Sequence, residues 1–272
     1  MLGRRPSSAR DARDPDRPVT LDDVGDPAGT PVVYLHGGGD SRLSRHPDDA
    51  IAAAQGVRLL AVDRCGPAVR RSSLRVWAED VLRALEPERF AVIGWSAGGP
   101  HALALAAVAP ERVTRVVLVG SMPPVAGNRL LARDVQRAMR TARIAPRVAA
   151  RALEAWGKRP PPPTGDPATD AAYAAGRRES FRHGGLWLAR ELAYLTRPWG
   201  FELEDVRAPV TLWWGEDDTV CVPSIGRDYE RSLPSATLRL EPGTHQILFS
   251  RWRDILADAA RPLPPELSSA PS

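Results

Sequence analysis

The chain has 272 residues and a mass of 29.5 kDa, with 43% hydrophobic and 26% charged residues. That length and balance suit one large domain, or a domain with a sizeable insertion, and exclude both intrinsic disorder and a minimal disulfide-stapled fold. The net charge of +4 invites an anionic partner, but it is an average: residues 122–200 carry fourteen cations against six carboxylates, and the rest of the chain is slightly acidic.

Residues 1–18 mix arginines, aspartates and prolines without the apolar core of a secretory signal, and read as a disordered leader. Pro31 to His36 is a short apolar run ending in three glycines, as expected of a buried parallel strand that delivers the chain into a loop. A short helix over Asp48 to Gln55 precedes a second such strand, Val57 to Asp63. A longer helix starts from an N-cap at Ser72 or Ser73, carries Trp77, Val81, Leu82 and Leu85 on one stripe, and ends at Pro87. Then come a strand from Phe90 to Trp95, a small-residue helix from Gly98 to Ala109 and a strand from Arg115 to Gly120. Strands and helices alternating at this pitch predict an α/β fold with a mostly parallel sheet.

From Pro123 to Pro198 the pattern is helical, with segments at Asn128 to Ala145, Pro146 to Gly157, Asp170 to His183 and Leu186 to Thr196. Sheet pattern resumes with the strand Pro209 to Gly215, a helix near Pro223 to Ser232, a strand from Ala236 to Leu240 and a last helix from Gln246 to Ala259. The division expected is a sheet domain over 19–121 and 201–260, a helical cap inserted at 122–200, and a disordered tail at 261–272.

The sequence Gly94-Trp-Ser-Ala-Gly98 stands where a strand meets a helix. A serine in such a turn is held in a strained conformation that exposes its hydroxyl over the sheet edge, and only small residues two places to either side avoid a clash. The positive end of the following helix favours negative charge developing there. A serine hydroxyl needs a base, and the base needs an orienting group. His245 follows the last strand and Asp218 follows the strand before it, both at strand C-terminal ends, where open α/β sheets assemble their sites. His36-Gly-Gly-Gly39 follows the first strong strand, and its backbone N–H groups face the same edge, so the amides of Gly38 and Ala97 are candidate oxyanion donors. Trp95, beside Ser96, and Gly37 are candidate substrate contacts.

Taken together, HGGG at 36–39, GWSAGG at 94–99, WGEDD at 214–218 and PGTH at 242–245 resemble the α/β-hydrolase superfamily, in its group of small cap-bearing hydrolases. The resemblance implies an α/β-hydrolase fold, with Ser96 as nucleophile, His245 as general base and acid, and Asp218, not its neighbour Asp217, as the orienting carboxylate. It also implies Gly38 and Ala97 as the oxyanion hole. Many relatives carry a D-x-x-G-x-G-x-S loop after the second strand; Asp63 to Ser72 keeps its first glycine and lacks the second.

The function expected is a serine hydrolase that cleaves an ester, thioester or lactone of a small organic substrate, without a cofactor. Two alternatives share the fold: a lyase, cyclase or cofactor-free peroxidase on the same triad, and a ligand-binding protein with a vestigial site. His36 is expected to hold the glycine loop, His101 to pack or lie at the surface, and His46 and His183 to face solvent. No histidine pair has metal-ligand spacing, Cys65 and Cys221 match no metal or disulfide pattern, and no apolar stretch approaches the roughly 20 residues that span a bilayer. A cytoplasmic location follows as the default, with no nucleic-acid partner and no indication of oligomeric state. Arg129, Arg133, Arg137 and Arg140 fall on one helix face, expected to be solvated unless it attracts an acidic carrier or anionic substrate.

Overall fold

The computed structural model describes residues 19–64 and 73–262. The leader, most of the tail, Cys65 and the Gly66 to Ser72 loop lie outside the described residues. Seven strands form one sheet in the order β1-β3-β2-β4-β5-β6-β7. They are β1 (Leu21–Gly25), β2 (Thr30–Leu35), β3 (Val57–Val62), β4 (Phe90–Trp95), β5 (Val113–Val119), β6 (Val210–Gly215) and β7 (Ala236–Glu241). All pairings are parallel except β1 with β3. The central strands β4, β5 and β6 are almost wholly buried because helices cover both faces.

Alternation along the strands sends side chains into two cores. Val33, Leu35, Val92, Leu118 and Trp214 join the core that includes residues of α2 (Leu74–Ala84), α3 (Gly98–Val108) and α8 (Pro223–Ser232). Tyr34, Ile93, Trp95, Val117 and Trp213 meet α1 (Asp49–Ala54), α9 (Ile247–Ser250) and α10 (Trp252–Ala260) on the other face. Helix α2 starts where Ser73 caps it, its hydroxyl accepting from the Val76 amide at 3.3 Å, and it buries Trp77, Val81 and Leu82 of the predicted stripe together with Leu74 and Ala78, while the fourth predicted member, Leu85, is buried at the C-cap.

Strand β1 is absent from the sequence reading because its five residues contain two aspartates and only half-bury. It is held at the sheet edge by backbone pairing with β3 and by Asp23, which accepts hydrogen bonds from Arg58 at 3.0 and 2.7 Å. Between β5 and β6 come α4 (Arg133–Ile144), α5 (Pro146–Gly157), α6 (Pro167–Ser180) and α7 (Leu186–Leu195). The start predicted at Asn128 is corrected to Arg133. Val125 to Leu130 form a 3-10 turn, and Leu131 makes an antiparallel bridge to Cys221, which draws that backbone out of the helix. Only Arg133, Arg137 and Arg140 therefore share an α-helix; these three and Arg129 are all exposed.

Helix α6 begins three residues before the predicted Asp170 and ends three before His183. Its cap is Asp166, whose carboxylate accepts from the Thr169 amide at 2.8 Å and the Thr169 hydroxyl at 2.7 Å. The final predicted helix is two, broken at Arg251; Phe249 of the first packs on Trp95 and Trp252 of the second on Tyr34. Among the described residues no helix is long and apolar enough to cross a membrane.

Asp258 ties α10 to the sheet. Its buried carboxylate accepts from the Trp213 indole at 3.0 Å, from Arg239 at 3.2 Å and from Arg261 at 2.6 Å. Asp258→Ala leaves the Trp213 N–H buried without that acceptor and should lower stability by about 1–3 kcal/mol. Urea unfolding followed by tryptophan fluorescence reads this as a lower midpoint at unchanged slope.

Candidate active site

Ser96 stands at the end of β4 with φ of 53°, the one positive value for a non-glycine among the described residues. Its amide donates to Val119 at 2.9 Å, and its carbonyl accepts from Gly99 and Met122, both at 3.0 Å. The glycines around it are required by contact. A Cβ on Gly98 would lie 2.1 Å from the Leu35 carbonyl oxygen, and one on Gly94 would lie 2.7 Å from the Gly98 carbonyl oxygen. Helix α3 therefore starts directly against the end of β2, with Ala97 as its N-cap.

Asp218 follows β6 and is 2% exposed. Its Oδ1 accepts from the amides of Val220 and Cys221 at 2.8 and 2.9 Å, which leaves Oδ2 for His245 Nδ1 at 2.7 Å. An ionised carboxylate only accepts, so Nδ1 carries the proton and Nε2 keeps its lone pair. Asp217 is exposed and takes no part. Gly120, at φ +47, lies beneath the pair: a Cβ there would sit 3.0 Å from Asp218 Oδ2 and 3.2 Å from His245 Nδ1. Burial raises the Cys221 thiol well above its ordinary range, and Asp218 adds to the effect.

Gly38 and Ala97 lie together, a Cβ on Gly38 falling 3.4 Å from that of Ala97. The Gly37 carbonyl accepts from His36 Nδ1 at 2.8 Å and from Arg64 at 2.9 Å. That carbonyl and the Gly38 N–H belong to one planar peptide and point in opposite directions, so holding the first aims the second. Gly37 itself is not among the residues bordering the cavity. His36 is buried and holds the loop as expected, its Nε2 accepting from the Arg64 amide at 3.2 Å.

A cavity of about 590 Å³ brings Ser96, His245, Gly38, Ala97 and Trp95 to one surface. Trp95 has a second task, its indole donating to the His245 carbonyl at 3.1 Å. Much of the remaining wall comes from α4 to α7, including Val135, Leu153, Trp156 and Leu188.

Sequence reasoning missed a buried polar seam behind the site. Arg64 lies 3.4 Å from Glu191 of α7, both fully buried, and His101 meets the Ala97 carbonyl at 2.8 Å and the Tyr194 hydroxyl. Of the two expected settings, His101 takes the packed one, edge-on to Trp77 at 4.5 Å, with these hydrogen bonds in addition. The charged pair at Arg64 and Glu191 spans separate segments and has no local spacing signal. His183 is exposed as expected, while His46 is half-buried.

Residues 30–251 match the α/β-hydrolase fold family, and the chain belongs to it. An esterase of Mycobacterium tuberculosis is 36% identical over 106 residues, 34% of this chain and 33% of that protein. A 2-hydroxymuconate semialdehyde hydrolase of a Pseudomonas species is 37% identical over 105 residues, 35% of this chain and 37% of that protein. The chain thus spans about a third of the length of the curated relatives it matches. Among solved structures, an esterase from a Rhodococcus species superposes with a TM-score of 0.63 at 25% identity, over 89% of this chain and 95% of that one. The enol-lactonase of Burkholderia xenovorans shares the fold with a TM-score of 0.67 at 19% identity, over 88% and 93%.

Gly120→Ala places a Cβ against both members of the His245–Asp218 pair in a left-handed conformation. The expected cost is about 1–2 kcal/mol from the backbone alone. Denaturant unfolding measures that cost, and a displaced His245 imidazole resonance in NMR reports disturbance of the pair.

Proposed function

We propose that the protein is a serine hydrolase acting on an ester, thioester or lactone of a small organic substrate through an acyl-enzyme. The observation that carries this reading is that the strained Ser96 and the oriented His245 border one cavity with Gly38 and Ala97. His245 Nε2 takes the Ser96 proton as the oxygen attacks the carbonyl carbon. The Gly38 and Ala97 amides stabilise the oxyanion, each contributing roughly 2.7–4 kcal/mol to the transition state. His245 then protonates the leaving group and activates water for deacylation, while Asp218 stabilises the imidazolium.

The helical segment α4 to α7 acts as a cap in this reading. It supplies apolar walls that exclude water and size the pocket. A serine at the elbow, where an aspartate would form an alkyl-enzyme, favours acyl transfer over dehalogenation or epoxide opening. The named esterases and hydrolases among its relatives support the same chemistry.

A fluorophosphonate probe should label the wild type and fail on Ser96→Ala. Asp218→Asn should remain folded and lose roughly three to four orders of magnitude in kcat on p-nitrophenyl esters, the tautomer of His245 being wrong. A folded wild type that neither labels nor turns over any ester overturns the proposal.

A further inference from the structure

The charged residues bordering the cavity fall into two groups. Asp134, Arg137 and Arg159 are exposed at its rim, where water solvates them. Asp40 and Arg177 are 3% and 4% exposed and stand among apolar walls. Asp40 follows the glycine loop two residues after Gly38, and Arg177 comes from the last part of α6.

Several contacts fix the guanidinium in place. It lies over the Trp156 ring at 4.2 Å and the Tyr173 ring at 5.3 Å, and it donates to the Tyr173 hydroxyl at 3.5 Å. Its Nε stands 3.9 Å from Asp40 Oδ1, beyond hydrogen-bonding distance, and neither atom has a hydrogen-bond partner. A buried donor and a buried acceptor thus lie side by side in two residues that border the cavity containing Ser96, both atoms closed off from water in the resting positions of their side chains. Leaving both unmade is costly, and one small group can satisfy the two together. Burial pushes the Asp40 carboxyl up to about 7, against the opposing pull of Arg177, Arg64 and His245.

The geometry points to a subsite, formed by Asp40 and Arg177, that selects substrates carrying a hydroxyl group. A hydroxyl oxygen accepts from Arg177 Nε–H while its O–H donates to Asp40 Oδ1. An anionic substituent would satisfy Arg177 but meet the Asp40 carboxylate, and a cationic one would meet the reverse conflict. An apolar substituent satisfies neither atom. Neither atom is open to water in this arrangement, so a substrate hydroxyl gains both bonds as the Asp40 and Arg177 side chains turn toward the cavity. The subsite deepens the hydrolase reading and rests on it.

The test compares kcat/KM for p-nitrophenyl hexanoate with its 2-, 3- and 6-hydroxy counterparts, and for propyl hexanoate with ethylene glycol monohexanoate. The wild type should favour at least one hydroxylated member roughly tenfold or more. Arg177→Met and Asp40→Asn should each bring that ratio to within about twofold of one, and Arg177→Lys should keep part of it. The ratio is taken between substrates on the same variant, so a change in folded fraction cancels. A wild type that treats every pair alike overturns the subsite. So does a preference that survives both Arg177→Met and Asp40→Asn, or a stronger preference for the hexanedioate monoester than for any hydroxy ester. Fluorophosphonate labelling of Ser96 separates the two levels: labelling with flat ratios sinks the subsite and leaves the hydrolase reading standing. Absence of both labelling and turnover sinks the hydrolase reading.

Discussion

The site is built on one close approach, that of the start of α3 to the end of β2. With a Cβ on Gly98 only 2.1 Å from the Leu35 carbonyl oxygen, no other residue fits there without moving a strand or a helix. The approach is what places Ser96 in a left-handed conformation, at a backbone cost of roughly 1–2 kcal/mol, and what brings Ala97 beside Gly38. Three hydrogen bonds to the Ser96 backbone, from or to Val119, Gly99 and Met122, hold the strained residue to its neighbours. The strain is supported by the sheet itself, because β5 delivers Val119 alongside Trp95 in register.

A second constraint couples this nucleus to the helices above it. Arg64 holds the Gly37 carbonyl and stands against Glu191 of α7. Replacing a buried ion pair with apolar residues is often neutral, whereas removing one partner costs about 3–5 kcal/mol because a charge is left uncompensated. The seam therefore fixes geometry more than it adds stability. It makes the orientation of the Gly38 N–H depend on the seating of α7, so the glycine loop and the helical segment are one mechanical unit.

What could be read from the sequence follows from how local each signal is. The elbow glycines, the strand-end positions of Asp218 and His245 and the apolar runs of β2 to β6 all express themselves within a few residues, and the structure brings Ser96, His245 and Gly38 to one cavity with Asp218 hydrogen-bonded to His245. Strand β1 was hidden because its stability comes from β3 and Arg58, not from its own five residues. The start of α4 was hidden by a bridge to Cys221, ninety residues further along the chain. The setting of the Gly37 peptide was not legible because a glycine in a loop gives no indication of which way its peptide faces; here two donors hold its carbonyl.

The same reasoning explains why a net +8 in residues 122–200 says less than one residue within it. Arg129, Arg133, Arg137 and Arg140 are exposed, where high dielectric and salt reduce each charge to a weak, long-range influence. Arg177 lies at 4% exposure against Trp156 and Tyr173, where the low dielectric strengthens every interaction it makes. In sequence all five are arginines on helical segments, and only the fold separates the four exposed ones, Arg137 at the cavity rim among them, from the one that is buried beside the cavity. In the proposed subsite, selectivity rests on the placement of a single buried cation and its carboxylate neighbour, not on the charge of the segment that carries it.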